Sequence, residues 1–133
     1  MWHGIEPGDL LELEKANVRL VNAFVESWYD PTTVRFDLLA DEGDFRTSVT
    51  LPHRYSPVQL KDEWLDHLKP TDRVEVEIHQ TFCRGPVVTN VRTDIVRYDG
   101  KPDKSFEIVS NFYVEGGKIK EWTDHIYCWR ELP

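Results

Sequence analysis

Leu10, Leu13, Leu20, Val21, Phe24, Val25 and Trp28 recur at helical spacing, which lays an apolar stripe along one side of a helix. Residues 1–8 read as a loose lead-in. Asp9 and Glu12 then have capping-box spacing, with Asp in the Ser/Thr role, so a long helix is predicted to about Tyr29. Asp30-Pro31 restarts the pattern, because Asp caps well and Pro is tolerated at the first helical position. A short second helix to about Leu39 would pack Val34, Leu38 and Leu39, and Ala40 to Gly43 reads as a turn. From Asp44 to Thr50 the period becomes two. Phe45, Thr47 and Val49 face one way and Arg46, Ser48 and Thr50 the other, predicting a short strand before a loop over Leu51 to Tyr55. Ser56-Pro57 with Gln59 is a further capping box, opening a third helix through Trp64, Leu65 and Leu68 that stops before Pro70.

From Thr71 onwards the alternation is that of strands. Val74, Val76 and Ile78 share one face, and Glu75, Glu77 and His79 the other. Gly85-Pro86 turns into a β-branched run, Val87 to Val96. Asp99 to Asp103 is a hairpin connection into Ser105 to Glu115, which sets Phe106, Ile108, Phe112 and Val114 against Val109, Asn111 and Tyr113. Gly116-Gly117 is the tightest hairpin signal, and Lys118 to Trp129 is the last strand. That strand divides into Ile119, Glu121, Thr123, His125 and Tyr127 on one face, and Lys120, Trp122, Asp124, Ile126 and Cys128 on the other. Helices first and a meander afterwards predict an α+β domain over residues 1–133, with helices packed on one face of a curved sheet. Such a sheet forms a cone whose open end is a pocket.

Two strands break the alternation in the same way. One face of the Val87 to Val96 run carries Val88, Asn90, Arg92, Asp94 and Val96, which puts an amide, a guanidinium and a carboxylate between two valines. On the last strand Asp124 shares its face with Trp122, Ile126 and Cys128. In a meander one strand separates Asp94 from Asp124, so about 10 Å of backbone lies between them and an Arg92 side chain can reach both. Two desolvated carboxylates sharing one guanidinium cannot be equivalent. The better-paired one stays ionised, and the other can hold a proton near neutrality, the arrangement for acid and base working together. The same three residues could equally form a buried structural ion-pair network.

Composition narrows the partners. A net charge of −8 argues against binding nucleic acid, which needs a basic patch. No run approaches the ~20 apolar residues of a membrane span, so no membrane partner is expected. Two cysteines, Cys83 and Cys128, are too few for a disulfide framework and lack metal-ligand spacing. The expectation is a cytoplasmic protein with free thiols. No His-x-His or His-x-x-x-His pattern, nucleophile elbow or Gly-rich phosphate loop is present, so neither a metal nor a cofactor is expected. His53, His79 and His125 read as surface residues, and His67 as a favourable charge at a helix end. Cys128 reads as a small filler of the pocket, and Trp122, Tyr113, Val88, Val96 and Trp64 as candidate pocket wall.

The order helix-helix-strand-helix-meander resembles the nuclear-transport-factor-2-like cone fold, which includes ketosteroid isomerases and SnoaL-type polyketide cyclases. Within that group, Arg92-Thr93-Asp94, then Glu121-Trp122-Thr123-Asp124 thirty residues after Asp94, resembles the limonene-1,2-epoxide hydrolase family. The resemblance implies an Asp-Arg-Asp triad acting on a small apolar epoxide. Asp124 would take a proton from water, Asp94 would protonate the epoxide oxygen, and Arg92 would bridge them, in one step without metal or covalent intermediate. It also implies a homodimer joined through the outer sheet face. The family holds its water with a Tyr-x-Asn pair on an early strand, and the matching positions here are Phe45 and Thr47. Thr47 still offers a hydroxyl, while Asn90 or Tyr55 are candidate substitutes for the rest. The departure keeps open a second reading, an epoxide-opening cyclase or an isomerase of the same fold.

Overall fold

The structure, a computed structural model, describes residues 4–47 and 55–133. Helix α1 (Pro7–Glu26) continues as a 3₁₀ turn over Ser27–Tyr29, and Val21, Phe24, Val25 and Trp28 are buried along its inner side. It begins two residues before the expected cap. Pro7 supplies the first turn after Glu6, and Asp9 lies inside that turn, where a negative charge suits the helix dipole. The second helix expected over Asp30 to Leu39 is absent. Asp30 Oδ1 accepts from the Thr32 amide at 2.8 Å, closing a local turn that competes with a helix. Behind it Thr32-Thr33-Val34 is a β-branched run, and only a 3₁₀ turn, Phe36–Leu38, forms. Leu39 opens a strand instead.

That strand, β1 (Leu39–Arg46), includes the residues expected as a turn. It pairs in parallel with the last strand, Leu39 against Ile119 and Asp44 against Glu121, so Ala40 to Gly43 bulge opposite Lys120 alone. The remainder of the expected strand, Ser48 to Thr50, and His53 lie outside the described residues. Tyr55 returns to bridge Phe45 through backbone bonds of 3.0 and 2.7 Å. Helix α2 (Pro57–His67) starts with the expected capping box, Ser56 and Gln59 each bonding the other's backbone amide.

Strands β2 (Arg73–Arg84), β3 (Val87–Arg97), β4 (Lys104–Glu115) and β5 (Lys118–Glu131) form the antiparallel meander. The sheet order is β1-β5-β4-β3-β2, so the sheet is mixed, with one parallel pair at its edge. Gly116 and Gly117, with φ of 60° and 74°, make the β4–β5 turn that residues with a Cβ resist. Val88, Ile108, Phe112, Val114, Ile119 and Trp122 cover the inner face and close on α1 and on Leu60 of α2.

Bulges at Lys120 and Tyr127 reset the parity of β5 twice. Ile119 therefore points inward with Trp122, Asp124 and Ile126, opposite to strict alternation. Cys128 pairs with Glu107 on the outer face and is exposed, so it fills no pocket. Tyr113 likewise lies on the outer face, and His125 stands beside Val109 there. Cys83 is half-buried, and both thiols are free.

Candidate active site

The inner face of β3 is buried through Val88, Asn90, Arg92, Asp94 and Val96. With β4 between them, β3 and β5 carry their acids toward one guanidinium. Arg92 Nε donates to Asp94 Oδ1 at 2.9 Å, and Nη2 donates to Asp124 Oδ1 at 3.2 Å. Arg92 is fully buried, and its guanidinium stacks 4.8 Å from the centre of the Trp28 ring. A cation removed from water this completely needs such partners. Burial works against its charge, but Asp124 and Asp94 outweigh that and raise the guanidinium above its ordinary value.

The two carboxyls sit differently. Asp124 Oδ1 accepts from Arg92, from Trp122 Nε1 at 2.6 Å and from the Ser110 hydroxyl. Among the described residues, Asp94 Oδ1 accepts from Arg92 alone. Burial pushes Asp94 up to about 6 against the pull of Arg92, and the charges of Asp124 and Glu107 add to the push. Asp94 is thus a carboxyl that exchanges its proton near neutrality, while Asp124 is surrounded by donors.

Both acids open onto a cavity of about 190 Å³ walled by Trp28, Trp64, Val74, Val96, Phe106, Ile108, Trp122 and Ile126, with Thr47 at its side. Three indoles crowd this wall, with Trp28 5.3 Å from Trp64 and 5.1 Å from Trp122. A larger crevice of about 510 Å³ lies elsewhere, between β1 and the β4–β5 turn, and holds none of these groups.

The remaining candidates divide. Thr47 lines the cavity together with Asp124. Trp122 lines it too, but its N–H is committed to Asp124. Phe45 is fully buried and its ring tip lies against Gly43, where an added Cβ would fall on Cζ. Asn90 is sealed behind the site, its amide donating to Thr81 Oγ1 at 3.2 Å and to Asn22 Oδ1 at 3.5 Å. Burial and the neighbouring Glu63 raise the Tyr55 phenol above its ordinary value, which places that hydroxyl toward α2. Val88 is core beneath α1 rather than cavity wall. Sequence reasoning passed over Ser110 and Trp28 as parts of the site. Ser110 had the same signal as its neighbours, a polar residue between Ile108 and Phe112 on an apolar face.

No family model matches the chain, and no curated protein matches it. Solved structures do. An LEH-like epoxide hydrolase from M. tuberculosis superimposes with a TM-score of 0.72 at 24% identity, over 85% of this chain and 84% of that one. An NTF-2 like protein of unknown function from Burkholderia xenovorans LB400 gives 0.67 at 16% identity, over 91% and 90%. A Delta 5-3-ketosteroid isomerase from Mycobacterium sp. gives 0.66 at 17% identity, over 85% and 98%. The chain has the nuclear-transport-factor-2-like cone fold, an α+β architecture that it shares with an LEH-like epoxide hydrolase.

Proposed function

We propose that the protein is an epoxide hydrolase that adds water to a small lipophilic epoxide by one-step general acid and base catalysis. The observation that carries this reading is the single buried guanidinium bonded to two unequal carboxyls at the wall of an apolar cavity. Asp124 accepts a proton from a water molecule as its oxygen attacks an epoxide carbon. The strained C–O bond breaks, and Asp94 gives its proton to the departing oxygen, leaving a vicinal diol. The site ends with the proton on Asp124 and the charge on Asp94, and exchange with solvent resets it. Proton transfers of this kind contribute about 10²–10⁴-fold each. Thr47 is the side chain best placed to hold the water, since it shares the cavity with Asp124. A cavity near 190 Å³ is small beside the ~300–1,000 Å³ of drug-sized sites and favours a compact substrate.

Incubation with limonene oxide and a panel of cyclic epoxides in H₂¹⁸O tests the reading. Labelled diol is expected from the native chain, and Asp94→Asn and Asp124→Asn should fold yet lose at least a hundredfold in rate. Diol formation that survives both substitutions rules out the assignment.

One observation favours a second reading. Phe45 stands where the hydrolase resemblance expects a phenol, and it turns its ring toward Gly43. A site that grips water less firmly can open an epoxide with a hydroxyl of the substrate itself. Ring-closed product free of ¹⁸O would identify that cyclase chemistry. The same resemblance supports a homodimer joined through the outer sheet face.

A further inference from the structure

Between the strands that carry the two acids runs β4, and at their level it offers one polar side chain to the site. Ser110 is fully buried and stands in register between Asn90 of β3 and Asp124 of β5. Its hydroxyl accepts from Arg92 Nη1 and donates to Asp124 Oδ1. The direction is forced: a guanidinium only donates, so the one hydroxyl proton is available for Asp124. Arg92 is thereby divided unequally. Nε serves Asp94, Nη2 serves Asp124 directly, and Nη1 serves Asp124 through Ser110.

We infer that Ser110 is a positioning residue that assigns the two carboxyls their roles. By turning a second arm of Arg92 toward Asp124, it makes that carboxylate the proton acceptor and leaves Asp94 as the proton donor. The inference deepens the hydrolase reading and rests on it for the identity of the reaction, though not for the division of charge.

Among the described residues, the charged groups around this network are few. From β3 come Arg92 and Asp94 themselves. Glu107 of β4 lies on the opposite face of the sheet, where it accepts from Thr93 at 2.8 Å, and His79 of β2 contacts the same hydroxyl. The segment after α1 presents Trp28, α2 presents Trp64, β1 leads to Thr47 and β2 presents Val74, none of which titrates near neutrality. Removing the Ser110 hydroxyl therefore acts on the two acids chiefly through Arg92 and the lost donor.

The test is the titration of the Asp94 side-chain carboxyl carbon by ¹³C NMR, together with the pH profile of kcat/KM. In the native protein Asp94 should titrate near 6. In Ser110→Ala the arm of Arg92 held toward Asp124 is released, so the Asp94 titration should fall by about one pH unit, the equivalent of one hydrogen bond, with the rate maximum lowered about tenfold. Ser110→Thr keeps the hydroxyl and should restore the native Asp94 titration. Should the alanine variant fail to fold, Ser110→Cys, with its weak donor, should show the same fall. Substitutions that lower kcat while leaving the Asp94 titration in place would reduce Ser110 to a space filler and overturn the inference. The titration needs no substrate. A chain that hydrates no epoxide yet shows the fall loses the reaction and keeps the division of charge, and epoxide hydration with an unmoved titration does the reverse.

Discussion

At Asp94 two opposing effects meet: removal from water, which disfavours the carboxylate, and the Arg92 guanidinium, which favours it. Burial prevails, and the carboxyl is pushed from 3.8 to about 6. If Asp94 donates the proton, activity must follow its protonated fraction. The kcat/KM of the free enzyme should fall tenfold per pH unit above about 6, with about one molecule in ten still competent at pH 7. Stability carries the same signature with a definite sign. The folded chain holds this proton more tightly than the unfolded one, so the contribution is complete below about pH 4 and is lost as pH rises through about 6. A shift of about two units corresponds to about 3 kcal/mol, so urea unfolding should show the native protein losing that much relative to Asp94→Asn between pH 4 and 7.5. Parallel stability curves for the two proteins over this range would remove Asp94 as a proton holder.

Among the elements, those with a strict period were legible and those with a bulge were not. The inward placement of Arg92 and Asp94 is legible because β3 carries no inserted residue between Val88 and Val96, with every second residue of that face buried. The inward placement of Asp124 is legible because the segment Trp122 to Ile126 lies between the two bulges of β5. Cys128 and Ile119 were misplaced because Tyr127 and Lys120 insert residues that hydrophobic pattern does not mark. Asp30-Pro31 reads as a helix start because Asp caps turns and helices alike, and the Asp30–Thr32 turn with the β-branched run behind it prevails. The bulge of β1 has its own requirement. Gly43 is open space for the ring of Phe45, and a methyl group there would fall on Cζ. Gly43→Ala should therefore displace that ring and cost about 1–3 kcal/mol in urea unfolding. Because Phe45 precedes Thr47 by two residues, the variant should also lower the rate of diol formation. Unchanged stability would mean the ring is free to move, and its burial would no longer explain why it avoids the cavity.

For the molecule as a whole, the helices among the described residues cover one side of a five-stranded sheet and leave the other bare. That outer face carries Phe82 at 54% exposure, Val87 at 41% and Tyr113 at 37%, on three adjacent strands, with Val91 and Val109 half-buried beside them. Large side chains this exposed gain from being covered, and a stable contact needs about 800 Å² from each partner, an area one sheet face can supply. The occupant proposed above is a second copy of the chain. Sedimentation at micromolar concentration should then give twice the monomer mass, and Val87→Glu combined with Tyr113→Glu should halve it by placing like charges against each other in a symmetric contact. The cavity opens on the opposite face, so the monomeric variant should keep the Asp94 titration near 6. A native chain that sediments as a monomer would leave this face without a partner of its own kind. A variant that dissociates and also loses the Asp94 titration would show instead that pairing of the sheets holds the cone in shape, making the dimer part of the site rather than an attachment to it.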